Sequence, residues 1–344
     1  RVVGDRVLGN RVLGDRVLGR RVLGGRAVTT AAEELRGDDV IVGLLERCRF
    51  PEPGTAVTCA VSGGADSSAL AVLAVAAGLD VTAVHVDHGL REGSDEESAT
   101  VVALASRFGM AVRAERVSVE PGPNLEARAR AARYAVLPDA VLLGHTADDQ
   151  AETVLLNLIR GAGLDGLAGM RLDERRPILG LRRAETEHLC ARFDIDVVED
   201  PSNRDPLFRR NRIRHEALPL LDDIAGRDVA AVLARQAPLL RDVLDLLDAL
   251  VAERELDVSD AAALAAAPPA IAAHAIRTWL RTCSPDAHPP DAASVRRVLD
   301  VAAGRARATE VTGGFRVLRT AGRLRVEPPL DGRVADGHVE RPNG

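Results

Sequence analysis

Short apolar runs alternate with longer helical stretches along the first two thirds of the chain. Residues 55–61 are β-branched and apolar without polar alternation, the pattern of a strand buried on both faces. Residues 68–77, rich in Ala and Leu, predict a helix. The same reading gives strands at 81–86, 110–117 and 140–143. Helices are expected at 94–108, with Ser94 as N-cap and Glu96 and Glu97 in the first turn, at 124–136 behind Asn124, and at 147–160. An amphipathic helix at 32–49 leads in. This alternation predicts an α/β fold, a doubly wound parallel sheet. Such sheets bind ligands at the carboxyl ends of their strands, where 62–67, Asp87-His88 and His145 all fall.

The pattern changes further on. Residues 222–255 read as one long amphipathic helix or two, 260–283 as alanine-rich helix around Pro268-Pro269, and 291–303 as a helix. Residues 308–327 alternate like two or three short strands with glycine turns. The expected organisation is a catalytic domain over 32–216, a smaller, mostly helical second domain over 217–330, and a disordered tail over 331–344. Residues 1–26 repeat RVVGD, RVLGN, RVLGD, RVLGR and RVLGG. A glycine every fifth position suits neither helix nor strand, so 1–31 read as a low-complexity arm without a catalytic role.

A chain of 344 residues suits two or three domains. Its net charge of -6 means that any nucleic-acid contact must come from local basic patches. All 45 of its basic residues are arginine, which excludes a protein lysine as nucleophile. Cys48, Cys59, Cys190 and Cys283 form no C-x-x-C pair and read as thiols in a reducing compartment rather than a zinc or iron–sulfur site. With no membrane-length apolar run and no signal peptide in view, a cytoplasmic protein is expected.

The chemistry starts at Ser62-Gly63-Gly64-Ala65-Asp66-Ser67, between the first strand and its helix. That placement aims backbone N–H groups and the positive helix end at one point, which suits a phosphate. Glycine lets the backbone approach the anion, and Ser62 and Ser67 add hydroxyl donors. The stretch has neither the Walker lysine nor G-x-G-x-x-G spacing. Asp66 beside phosphates calls for a divalent cation, so it is assigned to Mg²⁺.

Three further stretches carry charge. Arg130 and Arg133 share a helical face and can reach a phosphate, or simply face solvent. Asp149 and Glu152, also three apart, can hold a cationic substrate, hold a metal or act as general base. A cap would explain Asp148 or Asp149 alone, but not all three carboxylates. Between Pro201 and Glu216, five arginines face two acids, a local +3 that fits either a phosphate-backbone contact or an arginine-laced interdomain helix.

In order after SGGADS stand HVDHGLR (85–91), NLEARARAARY (124–134), GHTADDQAETVLLNLIRGAGLDGLAGM (144–170), RPILG (176–180) and EDPSNRDPLFRRNRIRHEALP (199–219). The turn resembles that of the N-type ATP pyrophosphatases, and the six motifs together resemble tRNA(Ile)-lysidine synthetase over about 57–220. The resemblance implies an adenine nucleotide alpha hydrolase-like PP-loop domain. It further implies a ligase that joins free L-lysine to C2 of the wobble cytidine in the CAU anticodon of tRNA(Ile), through an adenylated base, releasing pyrophosphate and AMP. It places ATP-Mg²⁺ on Ser62, Gly63, Gly64, Ala65, Asp66 and Ser67, with the adenine against His85 and Val86. Asp149 and Glu152 match lysine-binding positions; His145, Arg130 and Arg133 would steady charge on the phosphate; Arg133, Arg210, Asn211 and Arg214 would meet the tRNA. Asp148 is left as metal ligand, cap or bystander. A homodimer is compatible with this reading, and no membrane partner is expected. The further C-terminal domain of longer family members is expected to be absent or reduced. The main alternative, a tRNA 2-thiocytidine synthetase-like enzyme, shares the turn but needs cysteine pairs that this chain lacks. A module that merely binds nucleotide and RNA leaves the Asp149/Glu152 pair unexplained.

Overall fold

The computed structural model describes residues 33–87, 94–117, 128, 132, 135–198, 200–283 and 290–329. The arm at 1–31, His88 to Arg91, Arg130, Arg133 and the tail at 331–344 lie outside the described residues.

The chain forms two compact units, one from 1–149 and 172–205, the other from 150–171 and 206–344. The cuts fall at Asp149/Gln150, Arg171/Leu172 and Asp205/Pro206, whereas the pattern of the sequence had suggested one break at 216/217.

In the first unit, α1 (Asp39–Leu45) leads to β1 (Ala56–Ala60), α2 (Ala65–Ala76), β2 (Asp80–Asp87), α3 (Ser94–Phe108) and β3 (Ala111–Arg116). The lead-in helix α1 is shorter than the 32–49 expected. Asp38 sets its start by accepting the N–H groups of Val40 and Ile41, a side-chain cap. The three strands are parallel in the order β1-β2-β3, with Ala56 opposite Asp80 and Thr82 opposite Ala111. Side chains alternate across the sheet. Val57, Cys59, Val81 and Ala83 pack against α2, α3 and 178–195, while Val84 and Val86 face Leu137, Val141 and Leu143. Both faces are thus covered, as a parallel sheet requires.

The fourth strand expected at 140–143 is reduced to a parallel bridge between Leu142 and Cys59. Two backbone bonds, Ala60 N–H to Leu142 O and Leu142 N–H to Thr58 O, hold it there. The neighbouring Val141 and Leu143 amides point away from β1, to the carbonyls of Pro138 and Arg175. The bridge still puts this segment on the side of β1 away from β2. The chain therefore reverses its direction of winding at the carboxyl end of β1, the kind of crevice where open α/β sheets bind ligands.

The boundary between the units falls inside α4 (Ala147–Ile159). The first unit resumes after it and includes α5 (Arg183–Arg192), which packs along α2. The second unit holds α6 (Leu218–Ala225), α7 (Val229–Glu253), α8 (Ala261–Ala266), α9 (Pro269–Cys283) and α10 (Ala292–Ala302). An antiparallel sheet, β4 (Ala308–Val311), β5 (Phe315–Thr320) and β6 (Arg323–Glu327), completes it. Its core joins Leu264, Ile276 and Val298 to Val317 and Leu324. The break between α6 and α7 falls at Gly226, whose positive φ of 62° suits a left-handed C-cap.

Gly144, just before α4, sits against the phosphate-type turn. A Cβ there would stand 2.9 Å from the Asp66 carbonyl oxygen and 3.0 Å from Ser67 Cα, both backbone atoms. Gly144→Ala is expected to cost about 1–3 kcal/mol, as overpacking does. It should lower the Tm in thermal unfolding; an unchanged Tm would show that the turn yields without cost.

Candidate functional site

The turn after β1 owes its shape to its own residues. Gly63 has φ +87°, a conformation L side chains avoid, and its carbonyl accepts the Val198 N–H at 2.9 Å. Ser67 folds its hydroxyl back, donating to the Gly64 carbonyl at 2.9 Å and accepting the Ser62 N–H at 3.1 Å. The Ser62 and Ser67 hydroxyls are 3.1 Å apart. Helix α2 begins at Ala65, three residues before the expected start, and Gly64 gives it no side-chain cap. Its first-turn N–H groups and positive end therefore present an anion site made of Gly64, Ala65, Asp66 and Ser67.

His85 is buried on β2, with Nδ1 3.0 Å from the Val61 carbonyl oxygen, so it ties the end of β1 to its neighbour. Val86 follows on the opposite face of the strand. His145 is half-buried directly ahead of α4.

Asp66 points into a cationic corner that the sequence did not disclose. The Thr186 hydroxyl donates to one carboxylate oxygen, and Arg183 Nε lies 3.4 Å from the other. Burial pushes the Asp66 pKa up to about 6, against the pull of Thr186 and Arg183 and with nearby Asp149 adding to the rise. The same Arg183 reaches Asp149 with Nη2 at 3.2 Å. Asp149 also accepts the Thr146 backbone N–H at 2.9 Å and its hydroxyl at 3.1 Å, which is half of a capping box for α4.

Asp148 is neither bystander nor simple cap. Arg182 grips it bidentately at 3.0 and 2.8 Å, and the Arg183 N–H adds a bond at 2.8 Å. Burial raises its pKa, but these donors outweigh it and hold the carboxyl below its ordinary value. The adjacent pair Arg182-Arg183 thus answers three acids, Asp148, Asp149 and Asp66. The sequence signal was the RR that directly follows RPILG and one leucine, at the start of a helix.

In the second unit Glu152, 0% exposed, is enclosed by two guanidinium groups. Arg210 Nε donates to one oxygen at 2.7 Å and Arg214 Nε to the other at 2.6 Å. The arginines are four apart, spanning the helical turn Arg209–Arg212 and the wide turn Ile213–Ala217. Pro219, which lacks an N–H, cannot bond back to the His215 carbonyl, and the backbone widens just there. Asn211 is buried between them in sequence. Glu152, from outside the segment, removes one charge from the +3 read at 201–216 while contacting two of its arginines, and Arg212 pairs with Glu216, already counted there, at 2.8 Å. Of the expected site residues, the turn, Asp66 and Asp149 belong to the first unit, while Glu152, Arg210, Asn211 and Arg214 belong to the second.

A magnesium ion would suit this donor set. Mg²⁺ commonly takes one or two carboxylates and completes its shell with substrate phosphates and water. Asp66 is a half-buried carboxylate, raised in pKa by partial desolvation, at the foot of an anion site. Among the described residues, no three His, Cys, Asp or Glu side chains group as a metal cage. No helix of the described residues is long and apolar enough to cross a membrane.

Asp148→Asn removes an acceptor charge from the Arg182 fork. Because the folded-state pKa is depressed, the lost stability is fully present above the ordinary value of 3.8 and fades as pH falls below it. The Tm difference between variant and parent should be largest near neutral pH and shrink at pH 3; a difference independent of pH would contradict the ion pair.

Residues 43–221 match a family described as a PP-loop domain, and 260–325 match the TilS substrate binding domain. A tRNA(Ile)-lysidine synthase of Nocardia farcinica is 46% identical over 245 residues, covering 67% of this chain and 77% of that one. Those of Rhodococcus erythropolis (46% identical, covering 67% and 75%) and Thermobifida fusca (44%, covering 65% and 76%) match comparably. These relatives do not favour the 2-thiocytidine alternative. With the turn, its parallel sheet and the second domain all accounted for, the chain belongs to the tRNA(Ile)-lysidine synthase family, a family of PP-loop ligases.

Proposed function

We propose that this protein ligates free L-lysine to C2 of the wobble cytidine in tRNA(Ile) bearing CAU, consuming ATP. The observation that carries the reading is the turn at 62–67 with Asp66 in its helix, at the point where the sheet reverses its winding. That arrangement suits a triphosphate, and the relatives supply the substrate by name.

In the first step the cytidine C2 oxygen attacks the α-phosphorus of ATP. An O–P bond forms, the α–β bridging bond breaks, and pyrophosphate leaves. Gly63, Gly64 and Ser67 cradle the phosphates, and His85 and Val86 offer backbone to the adenine. Mg²⁺, held by Asp66, would neutralise charge on the departing pyrophosphate. In the second step the lysine ε-amine attacks C2, and AMP leaves with the former C2 oxygen. An ammonium cannot attack, so a carboxylate of the Asp149/Glu152 pair takes the proton. Both carboxylates already hold guanidinium groups, the electrostatics that an incoming ammonium would use. His145, Arg130 and Arg133 complete the phosphate side, while Arg133, Arg210, Asn211 and Arg214 meet the tRNA. Lysine transfer is preferred to sulfur transfer because the chain has four cysteines, none paired as C-x-x-C.

The decisive assay supplies labelled ATP, unmodified tRNA(Ile) bearing CAU, and each amino acid in turn. Lysine-dependent release of AMP and pyrophosphate, with lysine label entering the tRNA, is expected; ADP and orthophosphate as products would sink the reading. Asp66→Ala should abolish adenylation. Glu152→Gln should keep adenylation yet slow transfer, since losing a charged hydrogen bond costs about 1.5–3 kcal/mol, roughly ten- to hundredfold in rate. Equal loss of both steps would refute that division of labour. Arg210→Ala should weaken tRNA more than ATP and reduce the salt slope of tRNA binding by about 1; an unaltered slope would return Arg210 to a structural role.

A further inference from the structure

Resting on the reading of the turn as an ATP site, we infer that Arg183 is a built-in stand-in cation. It neutralises Asp66 and Asp149 while the nucleotide is away, and it gives up Asp66 to the divalent cation that arrives with ATP, turning its guanidinium to the phosphates.

The contact lengths set Arg183 apart from the other arginines here. Arg182 holds Asp148 at 2.8 Å, and Arg210 and Arg214 hold Glu152 at 2.7 and 2.6 Å. These are the lengths of good charge-assisted bonds. Arg183 reaches Asp66 at only 3.4 Å and Asp149 at 3.2 Å. These two contacts are longer than good charge-assisted bonds, so exchanging the Asp66 contact for a doubly charged ion sacrifices little. The corner does need a cation: the Asp66 carboxyl is half-buried, and the largely buried Asp149 is a second negative group that the same guanidinium reaches. A guanidinium supplies that charge at every accessible pH.

Asp66 would keep its orientation after the exchange, because the Thr186 hydroxyl also holds it. Thr186 and Arg183 are both on α5, and α5 packs along α2, which carries Asp66 and opens at the phosphate turn. A guanidinium there is a planar fork suited to phosphate oxygens. Arg183 is accordingly a positioning residue before nucleotide binds and an anion ligand once it has bound.

Mn²⁺ titrations followed by electron paramagnetic resonance test the exchange on the full chain without nucleotide, using wild type, Arg183→Gln and Arg183→Lys. Arg183→Gln removes the resident charge and should bind Mn²⁺ about tenfold more tightly than wild type, since a competing cation within a few ångströms is gone. Adding Asp66→Asn should erase that gain. Arg183→Lys keeps the charge and should stay near wild type for Mn²⁺. For a nonhydrolysable α,β-methylene ATP analogue, both single variants should lose affinity, because a lysine is not a fork. Unchanged or weaker Mn²⁺ binding by Arg183→Gln, or a gain that survives Asp66→Asn, overturns the inference. Wild-type crystals with the analogue and Mg²⁺ give a check independent of variant folding. Arg183 on a phosphate and off Asp66 supports the exchange, and Arg183 still on Asp66 refutes it. Wild-type protein that binds no nucleotide at the turn would instead strike down the ATP reading itself.

Discussion

Carboxylates that are taken out of water need a cation within reach, and in this protein that requirement is met by arginine. Asp66, Asp148 and Asp149 lie in one unit and are answered by two adjacent residues, Arg182 and Arg183. Glu152 lies in the other, fully buried between Arg210 and Arg214. An uncompensated buried charge costs several kcal/mol, about 3–5 where one partner of a buried pair is removed. The segments that bear these arginines are therefore fastened to the elements that bear the acids. The start of α5 is tied to α4 and α2, and the 209–217 turns are tied to the far half of α4. Within each unit, the neutralisation of these acids and the fastening of neighbouring segments draw on the same bonds.

The sheet provides the other half of the arrangement. Its strands place the turn, His85 and His145 at carboxyl ends, and the lone bridge at Leu142 suffices to reverse the winding beside β1. A full fourth strand is unnecessary for that purpose. What matters is that the Gly144 backbone passes close enough to Asp66 and Ser67 to exclude even a Cβ. The site is compact because its walls are main chain.

Much of this could be read from the sequence, because the informative signals were local. The β-branched run at 55–61, the double glycine and the alanine-rich stretch after it fix strand, turn and helix with little help from distant residues. The helices of the second unit and its small sheet also follow their own periodicity. Non-local features were less legible. That 140–143 pairs with β1 through Leu142 alone depends on the path of the backbone on either side, which its own apolar run does not encode. That Asp148 would be tied by Arg182, or that Arg183 would stand between Asp66 and Asp149, depended on a contact across 34 to 117 positions of chain. Nor could the segment 201–216 disclose that Arg210 and Arg214 share a counter-charge, Glu152, some sixty positions upstream.

The exclusive use of guanidinium groups has a chemical consequence. Every cation set against these acids, Arg182, Arg183, Arg210 and Arg214, remains protonated and carries no available lone pair. With no lysine among the 344 residues, none of this chain's side chains can offer a neutral ε-amine as a nucleophile beside these acids.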